Sequence, residues 1–97
     1  MKFDKFMLKL KGVQVKFGIS AIDLIIIDDV ASSKEKVTIM SFLDGFWRTS
    51  PVTTHNAIKA LAKKKLLKIT VDPEDGRVKL LTVGEKYNDL VKYVEVV

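Results

Sequence analysis

The dipeptide Ser50-Pro51, leading into VTTHNAIKALAKKK, is the feature that most narrows the folds open to this chain. Serine is a preferred helix N-cap, and proline suits the first helical position, where its missing N–H has no partner to lose. The spacing predicts a helix over 50–63. Two apolar runs come after it, LLKITV and RVKLLTV, joined by DPEDG. Leu67, Ile69 and Val71 alternate with Lys68 and Thr70, while Val78 and Leu80 alternate with Lys79, as expected of a half-buried antiparallel hairpin. Pro73 fits a turn, and Asp75-Gly76 supplies residues that tolerate positive φ.

Upstream, Thr38 is placed to cap a short helix, IMSFLDGF, with Ile39, Phe42, Leu43 and Phe46 facing inward, and WRTSP is the turn into the next helix. In SAIDLIIIDDV, Ser20 can cap a helix with Asp23 in its first turn and Ile22, Ile26 and Val30 on one face, although the β-branched content favours a strand. ASSKEK reads as a loop. Residues 3–17 fit two templates. Phe3, Phe6, Leu10, Val13 and Phe17 recur at heptad-like spacing, whereas Phe6, Leu8 and Leu10, then Val13, Val15 and Phe17, alternate around Gly12 as a hairpin would. The helix is slightly favoured. A last helix is expected from Val83 to Val94, with Leu90, Val91 and Val94 available for packing.

Ninety-seven residues make one small domain with a single core. The chain has no cysteine and one histidine, which argues against a disulfide framework and a protein-built zinc site. LIIID is far too short to span a bilayer, and the lysines scattered through MKFDKFMLKLK do not make a signal peptide, so a cytoplasmic protein is expected. The formal charge is +5, unevenly spread: five lysines and one acid in residues 1–18, two lysines and five acids in 19–46, ten basic and six acidic groups in 47–97. Basic ends of this kind steer a protein toward polyanions.

The order helix, short turn, capped helix, β-hairpin is the layout of a winged helix-turn-helix, an α+β and mostly α fold with a two-stranded hairpin wing. At about 100° per residue, Thr54, Ala57, Ile58 and Leu61 fall on one side of the 50–63 helix. Val52, His55, Asn56, Lys59 and Lys63 fall on the other. Short polar groups near the helix start and lysines further along are what a recognition helix in a DNA major groove needs. Asn56 can bond adenine N6 and N7 together, and Val52 can meet a thymine methyl. Thr53, His55 and Lys59 can bond bases or phosphates, and the helix start at Ser50 favours a phosphate. The plain alternative is a solvated face of an amphipathic helix.

The stretch SPVTTHNAIKALAKKKLLKITVDPEDGRVKLLTVGEK resembles the core of the MarR (multiple-antibiotic-resistance regulator) family of winged-helix regulators. Ser50-Pro51 opens the helix, Asp75-Gly76-Arg77 matches the family's Asp-x-Arg wing, and Leu81-Thr82-Val83-Gly84, one residue shorter than the family's Leu-Thr-x-x-Gly, enters the last helix. The likeness covers residues 38–86 well and 19–37 more faintly. It implies that Arg77 reaches into a minor groove and that Asp75 orients it through a salt bridge. It also implies a homodimer regulating transcription at pseudo-palindromic sites, with residues 1–18 and 83–97 as the dimerisation segments, and it allows a small-molecule effector that no residue here signals. Two positions depart from the pattern. Lys65 stands where the recognition helix often ends in glycine, and Arg48 stands in the turn where glycine is usual.

Other candidates are weaker. Asp28-Asp29 reads as a solvated acid pair rather than a cation site, and His55 has no nucleophile or orienting acid near it in sequence. Trp47, between two helices, reads as core rather than as a base-stacking group. Lys63-Lys64-Lys65 suits a helix C-terminus through the dipole alone, with phosphate binding an equal reading. No glycine-rich phosphate loop or nucleophile elbow is present. The reading is therefore a non-enzymatic, cofactor-free binder of double-stranded DNA, with Lys79 joining Lys59 and Lys63 as phosphate anchors. The rival is a winged-helix module for protein–protein contact or an accessory subunit of a nucleic-acid-processing complex.

Overall fold

The structure is a computed structural model that describes the backbone of residues 2–96 and the side chains of residues 9–95. Met1, Val97 and the side chains of Phe3, Phe6 and Leu8 in the N-terminal pattern lie outside the described residues. Residues 2–17 are helical throughout: α1 runs Lys2–Phe17. Val13 and Val15 separate the two templates, since a strand would point both the same way. Val13 is 2% exposed and Val15 77%, as a helix requires. Gly18 ends α1 at φ 65°, a left-handed conformation that costs glycine little, and its N–H donates to Gln14 O at 2.9 Å.

Helix α2, Ala21–Ser32, is closed at its start by a reciprocal box. Ser20 N donates to Asp23 Oδ2 at 2.8 Å, and Asp23 N donates to Ser20 Oγ at 3.2 Å. This cap, together with burial of Ile26, Ile27 and Val30, overrides the β-branched preference for strand. The helix extends two residues into the expected loop before ending at Ser32.

Val37–Thr38 form a short strand, β1, that the sequence does not reveal. Two residues are too few for a period-two pattern to register. The helices α3 (Ile39–Gly45) and α4 (Pro51–Lys63) begin at the expected caps, Thr38 and Ser50. Strands β2 (Leu67–Asp72) and β3 (Asp75–Val83) make the hairpin, and α5 spans Tyr87–Val96. The expected two-stranded wing therefore belongs to a three-stranded antiparallel sheet in the order β1-β3-β2. Val83 is not the start of the last helix; it pairs with Leu67 in the sheet. Val94 is 38% exposed and Val91 is only half-buried, so packing of α5 within the chain relies on buried Leu90 with Tyr87 and Tyr93.

Register decides which hairpin residues face the core. Leu67 pairs with Val83, Ile69 with Leu81 and Val71 with Lys79. Directly opposed residues share a face, so Lys79 lies on the same face as Leu81, and Leu80 lies on the other with Thr70. Lys79 is exposed while Val78 and Leu80 are half-buried, as the alternation predicts, but the fully buried residue of β3 is Leu81, on the opposite face from Leu80. Val71, expected inward, is 56% exposed; its pair with Lys79 stands beyond the edge of the core. That core joins Ile26, Ile58, Leu61, Leu66, Leu67 and Leu81. The pairing of α1 with α5 forms a second contact zone, where Phe17 and Tyr93 meet edge to face at 5.9 Å.

Candidate nucleic-acid interface

Helix α4 is fixed at its start by Ser50. The Ser50 hydroxyl accepts from Thr53 N at 3.2 Å and donates to Thr53 Oγ1 at 2.9 Å, so both of its roles are used within the cap. Thr54, completely buried, donates its hydroxyl to Ser50 O at 2.9 Å, which leaves no polar atom orphaned beneath the helix. Ile58 and Leu61 are buried beside it and Ala57 is half-buried. The inward face is the expected one.

The outward face carries Val52, 72% exposed, with Asn56, Lys59 and Lys63 also exposed and His55 half-buried. At 1.5 Å per residue, Val52 and Lys63 are about 16 Å apart along the axis, which exceeds the roughly 12 Å width of a major groove. Groups at the start can thus lie in a groove while Lys63 meets its edge. Residues 47–71 contain six basic residues and no acid, so no carboxylate on this segment opposes a polyanion.

The three lysines at the end of α4 divide their work. Lys63 is exposed in the last turn. Lys64 donates from Nζ to the carbonyl oxygen of Gly18, tying α4 to the end of α1. Lys65 takes φ 63° and pairs with Glu85 at 3.1 Å. The glycine missing at position 65 is thus replaced by a lysine in the same left-handed conformation. Arg48 has no positive φ, so its turn does not require glycine.

The hairpin tip differs from expectation. Its turn residues are Pro73 and Glu74, with Asp72 paired to Asp75, and Gly76 does not adopt positive φ. Asp72 Oδ1 accepts from Glu74 N at 2.9 Å, a local side-chain turn that gives this acid a structural role. Between the Asp72–Asp75 and Val71–Lys79 pairs, Gly76, Arg77 and Val78 have no partners in register. This bulge presents Arg77 at the tip, its side chain 92% exposed. Asp75 accepts three bonds from it: Arg77 N at 3.0 Å and Nε at 3.2 Å to Oδ1, and Nη2 at 3.4 Å to Oδ2. The Arg77 N–H first, and its guanidinium second, hold the Asp75 carboxyl below the ordinary aspartate range against a small opposing desolvation.

Trp47 is not core. Phe46 is buried, and the extended backbone there turns Trp47 outward, 80% exposed, with the Arg48 guanidinium 4.9 Å from its ring centroid. Among the described residues no group of three or more His, Cys, Asp or Glu is arranged to hold a metal, and no helix is long and apolar enough to cross a membrane.

No protein-family profile matches the chain, and no curated protein matches it in sequence. Solved structures do. A mutant of MepR from a multidrug-resistant S. aureus clinical isolate superposes with a TM-score of 0.78 at 23% identity, covering 99% of this chain and 69% of that one. The S. aureus MepR–DNA complex gives 0.75 at 22%, covering 99% and 75%. MarR itself gives 0.70 at 12%, covering 96% and 69%. The fold is MarR-like. Within the MarR-like fold the features that sequence reasoning missed are β1, the outward Trp47 and the separate tasks of Lys64 and Lys65. Only the Lys65 departure leaves a signal, as a residue standing at a left-handed helix end.

Proposed function

We propose that the chain is a sequence-specific, double-stranded DNA-binding transcriptional regulator acting as a homodimer. The observation that carries this reading is the outward face of α4, where Val52, Asn56, Lys59 and Lys63 are exposed on a segment free of acids. Residues 50–63 enter the major groove, with Asn56 bonding adenine and Val52 meeting thymine. The helix start at Ser50 meets a phosphate through backbone N–H groups, and Thr53 and His55 contact the backbone or base edges beside it. Arg77, held extended by Asp75, enters the adjacent minor groove, and Lys59, Lys63 and Lys79 anchor phosphates. The likeness to a MepR structure solved with DNA supports this reading. Residues 1–18 and 83–97 serve as the dimerisation segments, which matches α1 and α5 lying together at one side of the fold. Regulation follows from occlusion or recruitment at a promoter.

A salt series on duplex DNA tests it. Counterion release predicts that log affinity falls with log salt with a slope of about −0.9 per neutralised phosphate. Asn56→Ala is expected to cost discrimination between cognate and random sequence, about 1–3 kcal/mol at each half-site, while Lys63→Ala weakens all sequences alike and lowers the slope by about 1 per protomer. Equal losses for Asn56→Ala on both sequences would refute base reading. Absence of binding at low salt would refute DNA binding altogether and leave a protein-contact module. Sedimentation of the free protein tests the dimer, which a strict monomer would overturn.

A further inference from the structure

Trp47 and Arg48 have no place in the core, and neither the helix face nor the wing accounts for them. The chain's single tryptophan is 80% exposed, which leaves most of a large apolar ring in water. Arg48 lies over that ring, 4.9 Å from its centroid. Among the described residues the ion pairs are Lys65–Glu85 and Arg77–Asp75, so the Arg48 charge is held by an aromatic face and is not neutralised by a carboxylate. Stacking fixes a guanidinium plane while leaving its N–H groups free, which lowers the entropy lost when they bond an anion.

Position adds to this. The pair precedes the Ser50 cap by two to three residues, a reach of at most about 10 Å, and α4 starts immediately after that cap. A helix entering a groove roughly 12 Å wide brings its preceding turn beside one bounding strand. From Trp47 to Val71 every charged residue is basic, so the segment running from the pair into α4 carries only positive charge; the nearest acid in sequence, exposed Asp44, lies on the other side of the pair, before buried Phe46. We infer that Trp47 and Arg48 form a clamp on the DNA sugar–phosphate backbone at the entry edge of the α4 groove. Arg48 bonds a phosphate and Trp47 covers the adjoining sugar, giving a third contact besides the recognition helix and the wing. This inference rests on the DNA-binding reading above.

The single tryptophan makes the test direct. The full chain is titrated at low salt with a labelled duplex of about 24 base pairs, enough for two half-sites one helical turn apart. Duplex anisotropy and Trp47 emission with acrylamide quenching are read in parallel. Binding should shift the emission and shield the ring from acrylamide, with the same saturation point as the anisotropy. Arg48→Ala should lower the salt slope of the dimer by about 1.8, about 0.9 for each protomer's phosphate, and Arg48→Lys should restore the slope while leaving affinity below that of the native chain. Trp47→Phe should bind more tightly than Trp47→Ala, with circular dichroism confirming that both fold. Anisotropy binding with unchanged Trp47 emission and quenching would overturn the clamp and leave the DNA reading intact. No anisotropy change would overturn both. Shielding of Trp47 that tracks protein concentration without DNA would assign the pair to self-association and overturn the clamp.

Discussion

Asp75 accepts three bonds from one residue, and their order of strength makes a prediction. Its carboxyl is held below the ordinary aspartate range chiefly by the Arg77 backbone N–H and secondarily by the guanidinium. A depressed folded value means that the contribution is complete above the ordinary range and is lost only as pH falls through the lowered value. Wing geometry is therefore expected to be unchanged across neutral pH. Arg77→Ala removes only the lesser cause, so the Asp75 midpoint, followed by NMR of its carboxyl carbon, should rise only part of the way to the ordinary value. A full return would mean that the side chain, not the backbone, holds the carboxylate. The Asp-x-Arg signature is legible in sequence as an orienting pair. The Asp72–Glu74 turn beside it is not, because three acids close together look alike until a backbone N–H selects among them.

Among the elements, the end of α4 is where backbone strain and ion pairing can be weighed. Lys65 at φ 63° occupies a conformation that costs a residue with a side chain about 1–2 kcal/mol. Its pair with Glu85 is exposed on both sides, 62% and 69%, and such pairs contribute about 0–1 kcal/mol. The conformation is imposed by the docking of residues 84–86 on this turn: Lys86 N donates to Lys65 O at 2.9 Å, Gly84 N to Leu66 O at 3.0 Å, and any Cβ on Gly84 would collide with the Lys65 carbonyl oxygen. Lys65→Gly should thus relieve more than it loses. A net gain of about 0.5–1 kcal/mol would raise the thermal midpoint by a few degrees in a domain of this size, while Glu85→Gln should move it less. A drop for Lys65→Gly would show that the ion pair outweighs the strain. Caps make helix starts readable to the residue at Ser20, Thr38 and Ser50. The alternation of Val78 and Leu80 with Lys79 is legible in sequence, but which of the adjacent, equally apolar Leu80 and Leu81 enters the core is not, since only pairing with Ile69 and Val37 chooses Leu81.

At the scale of the molecule, the order of elements from Thr38 to Gly84 is readable because each start is marked by a cap or a turn. The N-terminal segment is ambiguous because its apolar residues satisfy both periods, and what resolves it is contact with α5, far away in sequence. Gly12 lies on that contact: a Cβ there would sit 2.6 Å from the Tyr93 hydroxyl oxygen, while the nearest ring carbon would be 3.5 Å away. The obstacle is thus one atom at the end of a side chain. Lys16 Nζ also lies 5.2 Å from the Tyr93 ring centroid, and Phe17 meets that ring edge to face, so Tyr93 does not retreat freely. Alanine in place of a helical glycine contributes about 1 kcal/mol when nothing obstructs it. Gly12→Ala alone should therefore yield little or destabilise, whereas in a Tyr93→Phe background it should stabilise by about 1 kcal/mol. The four proteins, measured by denaturant unfolding, form a cycle whose interaction energy should fall in the roughly 0.5–3 kcal/mol range of residues in contact. Strict additivity would separate Gly12 from Tyr93, and with them the packing of α1 on α5 that the proposed dimerisation segments require.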